Sequence, residues 1–70
     1  MTIIELLNEI SKGEQVPIRI IFRGVEWRYN KYISDYGSSY NNYYKGLFED
    51  LFRVESARNF LNEPVEIIGD

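Results

Sequence analysis

Tyrosine is the residue type through which this chain has most chemistry to offer. All six tyrosines lie between Tyr29 and Tyr44, interleaved with serine, asparagine and glycine. A phenol ring brings a large contact area with only two torsions to freeze, and small polar neighbours add adaptable hydrogen bonds, which is the chemistry of a binding surface. Interface energy concentrates in aromatic and arginine side chains. The expected partner-contacting set is therefore Tyr32, Tyr36, Tyr40, Tyr43 and Tyr44 with Arg28 and Lys31. Composition alone equally fits a tyrosine-rich strand and loop packed on a small core. Trp27 belongs with the anchors by type, but the strand register developed below turns it inward.

Other chemistries are largely excluded. The chain has no histidine and no cysteine, so the usual proton shuttle, thiol nucleophile and structural zinc site are missing. The adjacent carboxylates Glu49 and Asp50 would point to opposite faces on a strand, or sit about 100° apart on a helix, and form no convincing acid–base pair. Ser38 and Ser39 have no base beside them, and the glycines are scattered rather than gathered into a phosphate loop. No loop has the acidic spacing of a divalent-cation site. The sequence thus reads as a non-enzymatic protein with no cofactor and no metal. A second reading is anion binding: tyrosine faces stack bases while Arg19, Arg23, Arg28 and Lys45 meet phosphates of a nucleotide or nucleic acid.

Seventy residues make one domain, which buries only about 60% of its unfolded surface and has little stability to spare. A hydrophobic content of 44% supplies a core, and a homodimer is a further way to gain stability. The net charge of −3 is too mild to imply a nucleic-acid or membrane-surface protein. Its distribution is uneven. Residues 12–45 carry six basic and three acidic groups, net +3, whereas residues 46–70 carry two basic and six acidic groups, net −4. Such a dipolar surface can steer a charged partner. No basic-then-apolar leader opens the sequence and no apolar run spans a bilayer, so a cytoplasmic protein without membrane contact is expected.

The elements that must hold the tyrosines form an α+β domain, an N-terminal helix packed on a small antiparallel sheet. Over residues 2–12, Ile3, Leu6, Leu7 and Ile10 recur at helical spacing, Thr2 and Glu5 make a capping box, and Gly13 ends the helix. After Pro17 the period becomes two. A hairpin of 17–23 and 25–33 turns at Arg23-Gly24, setting Phe22 opposite Val25, Ile20 opposite Trp27 and Ile18 opposite Tyr29. The same register sets Arg19 against Arg28 on the outer face, with Glu26 as a diagonal mediator. Residues 34–46 read as a loop of turn formers. Residues 47–52 fit a helix or a strand; a strand is expected, because a hairpin needs a third strand. A short helix near 56–61 and a strand near 64–68 complete the chain.

The two ends, Ile3-Ile4-Glu5-Leu6-Leu7-Asn8 with Gly13-Glu14-Gln15-Val16-Pro17 and Leu61-Asn62-Glu63-Pro64-Val65-Glu66-Ile67-Ile68, resemble small uncharacterised accessory proteins of phages and prophages of Gram-positive bacteria. The resemblance covers about half the chain and leaves the tyrosine-rich middle unmatched. It implies an early or accessory phage protein acting in the host cytosol. Such proteins often inhibit a host protein, commonly a defence nuclease or a replication factor, as anti-CRISPR proteins do. It assigns no residue a role.

Overall fold

A computed structural model describes residues 1–13 and 16–69; the Glu14-Gln15 part of the family-like segment lies outside them. The first helix, α1 (Ile3–Lys12), begins at the expected capping box: the Thr2 hydroxyl accepts from the Glu5 amide at 3.4 Å and the Glu5 carboxylate accepts from the Thr2 amide at 3.0 Å. Gly13, in a left-handed conformation, ends it. Four strands follow in an antiparallel sheet of order β3-β2-β1-β4: β1 (Arg19–Phe22), β2 (Val25–Asn30), β3 (Asp35–Gly37) and β4 (Glu66–Gly69). Between β3 and β4 lie a 3₁₀ turn (Ser39–Asn41), α2 (Leu47–Val54) and α3 (Ala57–Phe60).

The hairpin register is the expected one, with Ile20 opposite Trp27, Phe22 opposite Val25 and Arg19 opposite Arg28. Its turn has positive φ at both central residues, 53° at Arg23 and 77° at Gly24. That is the primed turn whose twist matches the strands. The inward residues Ile20 and Phe22 join Ile3 and Leu6 of α1, Leu47, Phe48 and Leu51 of α2, Phe60 and Val65 in one core. Each such side chain contributes roughly 1.5–3 kcal/mol by leaving water. The chain start is sewn to residues 61–65: the Ile4 amide donates to the Leu61 carbonyl at 2.9 Å and the Val65 amide to the Met1 carbonyl at 2.7 Å.

Two expectations need correction. Residues 47–52 are helical, not a strand. Leu47, Phe48 and Leu51 are buried on one side of α2, the first turn carries Glu49 and Asp50, and the last carries Arg53, matching the helix dipole at both ends. The strand that the hairpin needs comes instead from Asp35–Gly37, inside the segment read as a loop. The short helix is present but trimmed to Ala57–Phe60, and the last strand is shifted from 64–68 to Glu66–Gly69.

Candidate functional site

Asp35 is the residue that orders the region around the tyrosines. Its buried carboxylate accepts from three backbone amides: Tyr36 at 2.6 Å, Phe48 at 3.0 Å and Glu49 at 3.1 Å. The last two are first-turn donors of α2, which the helix itself leaves unsatisfied. Asp35 therefore caps α2 from another element, and Gly46 at the N-cap position supplies no side chain of its own. A Cβ on Gly46 would collide with the Asp35 carboxylate, so the missing side chain is what admits the cap.

Asn30, at the end of β2, does a similar service on the other side. Its Nδ2 donates to the Tyr43 carbonyl at 2.8 Å, and its Oδ1 accepts from the Tyr32 amide at 2.9 Å. One amide side chain thus fixes both the β2–β3 turn and the 42–44 segment. That segment is wound unusually: Asn42 and Tyr43 have φ of 53° and 65°, a conformation that costs about 1–3 kcal/mol per non-glycine residue and persists only where its surroundings impose it. Here they do. The Tyr43 amide donates to the Ser38 carbonyl at 2.9 Å, its backbone lies where a Cβ of Gly37 would be, and the Arg28 guanidinium sits 5.3 Å from its ring centre.

Between these two anchored segments runs an open groove of about 500 Å³. Tyr29 and Asn30 line it from β2, Ile18 from just before β1, Lys31 and Tyr32 from the turn, and Asn42, Tyr43 and Tyr44 from the loop. This is within the usual size of a small-ligand site, and the walls are mainly aromatic. Tyr32 is 79% and Tyr44 64% exposed. The Lys31 ammonium lies 5.7 Å from the Tyr32 ring centre. Among the described residues no aspartate or glutamate lines the groove.

The expected contact residues are therefore divided. Lys31, Tyr32, Tyr43 and Tyr44 come together, and Arg28 reaches them through the Tyr43 ring. Tyr36 does not face outward: it is fully buried, edge-on to Tyr29 and Phe48, and its hydroxyl donates to the Pro17 carbonyl. Its burial pushes the phenol pKa well above the ordinary value. Tyr36 belongs to the core because inward pairing with Tyr29 in the β2–β3 register leaves it no other face. Tyr40 is 85% exposed but lies outside the groove lining, as does Lys45. Of the alternative anion set, Arg19 is paired with Glu26 at 3.3 Å. Arg23, at the opposite end of the hairpin, bonds Glu55 at 2.7 Å and also Glu63. Those hydrogen bonds hold both glutamates below the ordinary carboxylate range and raise Arg23 further. Arg19, Arg23, Arg28 and Lys45 are not gathered into one phosphate site.

Sequence reading missed Ile18, Tyr29, Asn30 and Asn42 as groove residues. The signal for Asn30 was its position at a strand end before a turn, where an asparagine side chain can bond the backbone two residues on. Compared with known proteins, the chain matches no family model, no curated protein and no solved structure. No helix among the described residues is long and apolar enough to cross a membrane, and among them no cluster of acidic residues has the makings of a metal site.

Proposed function

We propose that this chain is a small phage-type accessory protein that captures a segment of a host protein in the tyrosine groove and thereby inhibits it, in the manner of an anti-defence factor. The observation that carries the reading is the groove's construction. Aromatic side chains from the sheet, the turn and the loop converge on one depression, and the backbones of Tyr32 and Tyr43 are held by Asn30, Gly37 and Ser38. A preformed aromatic surface loses little freedom on binding, which favours affinity. Its work is cytoplasmic and needs no catalytic group or cofactor.

A double variant, Tyr32→Ala with Tyr44→Ala, removes the two most exposed groove tyrosines without touching the core. Capture from host lysate should be lost while far-UV circular dichroism stays unchanged; equal recovery of the same protein by wild type and variant would dismiss the groove as the contact surface. A second reading is supported by Lys31 and the stacked Tyr43–Arg28 pair: a nucleotide or a single-stranded nucleic acid lying on the rings. Binding of that kind weakens steeply with salt, so a salt series on single-stranded DNA separates the two. Self-association into a homodimer is read from light scattering.

A further inference from the structure

The groove has a sign as well as a shape. Lys31 lines it, Arg28 lies over the Tyr43 ring, and among the described residues no carboxylate lines it. Among the described residues neither Lys31 nor Arg28 takes part in a salt bridge. Aromatic sites that take alkylammonium groups rely on the negative faces of the rings; here a side-chain cation already lies beside Tyr32 and another over Tyr43. These two cations favour an anionic occupant over a cationic one. Its charge is also small. Lys31 is the charged donor among the described lining residues, and the Asn30 and Asn42 amides and the tyrosine hydroxyls are neutral. That suits a single carboxylate, whereas phosphates are bound by several convergent donors. The chain's own charge of −3 further opposes a polyanion.

Resting on the protein-capture reading above, we infer that the groove takes an extended acidic peptide segment, with an apolar or aromatic side chain against the tyrosine walls and a neighbouring aspartate or glutamate against Lys31. Random heptapeptides displayed on filamentous phage are selected on the whole chain and counter-selected on the Tyr32→Ala/Tyr44→Ala variant. Groove-dependent binders should carry aspartate or glutamate next to an aromatic residue or proline. A synthetic binder should move the amide resonances of Lys31, Tyr32 and Tyr44, and Lys31→Glu should weaken it by about tenfold or more. Exchange of the peptide's acid for lysine should restore binding to Lys31→Glu. Groove-dependent binders that are neutral or basic would overturn the charge inference and leave peptide capture standing. No groove-dependent binder at all overturns both, and AMP moving the same amides would then assign the groove to nucleotides.

Discussion

The two ends of strand β2 meet the same backbone problem and solve it with different chemistry. At one end, Arg23 and Gly24 both have positive φ in the hairpin turn; beside the other, Asn42 and Tyr43 do. Arg23 adopts a conformation that favours glycine, and its guanidinium then reaches Glu55 and Glu63, tying the turn to the segments flanking α3. Charges there are paired with one another. Tyr43 adopts a similar conformation because Asn30, Ser38 and Gly37 leave its backbone no alternative. Its ring and that of Tyr44 are thereby turned to the groove. Left-handed residues close the fold at one pole and open a surface at the other. The deciding factor is whether side chain or backbone carries the restraint.

The largest effect on this contrast should come from Asp35→Ala, which strips the buried cap from α2 and leaves three amides without their acceptor. A loss of about 3 kcal/mol or more in urea-induced unfolding is expected; a loss comparable to that of a surface substitution would show that α2 does not depend on Asp35. Next comes Asn30→Asp, nearly isosteric, which puts an acceptor against the Tyr43 carbonyl while keeping the Tyr32 bond. It should cost about 1–2 kcal/mol and shift the Tyr43 and Tyr44 resonances while leaving those of Arg23 and Gly24 in place. Movement at both poles would deny their independence.

Arg23→Gly should do least, because it relieves about 1–2 kcal/mol of backbone cost as it removes the ion pairs. Salt screens exposed pairs, so the variant should gain on wild type as salt rises; a ratio of stabilities that ignores salt would mean the pairs contribute nothing. The acid limb sharpens the same point. Glu55 and Glu63 are lowered by Arg23 in the folded state. Their contribution is therefore full above the ordinary glutamate pKa and is lost as pH falls through their lowered values. The acid unfolding curve of Arg23→Gly should be flatter over that window, measured by circular dichroism from neutral to acid pH.

Most of the scaffold was legible in the residues. The capping box at Thr2 and Glu5, and the switch from helical spacing to alternation after Pro17, placed α1 and the hairpin with its register. The turn was placed despite arginine in a position that prefers asparagine, aspartate or glycine, because Gly24 and the alternation agreed. The third strand was hidden because Asp35-Tyr36-Gly37 is short and has turn formers on both sides of its one β-favouring residue. Assigning a strand to 47–52 to fill that gap overrode a helix signal already present in Leu47, Phe48, Leu51 and Phe52. Of the groove, the tyrosine clustering and Lys31 were visible. The division between Tyr36, sealed inside, and Tyr32, left in water, was not. It depends on a strand pairing invisible to local pattern.

The sheet order also sets a timetable for the newborn chain. β1 lies between β2, its immediate neighbour in sequence, and β4, made of residues 66–69. Helix α1 and the hairpin can assemble during synthesis, but the other edge of β1 stays bare until β4 emerges. An unpaired edge recruits other strands, and distant pairing is slow to form. Residues 66–69, made well after β1, are thus the ones that withdraw the central strand from unwanted company, and a ribosome stalled shortly before them would hold out a sticky half-sheet.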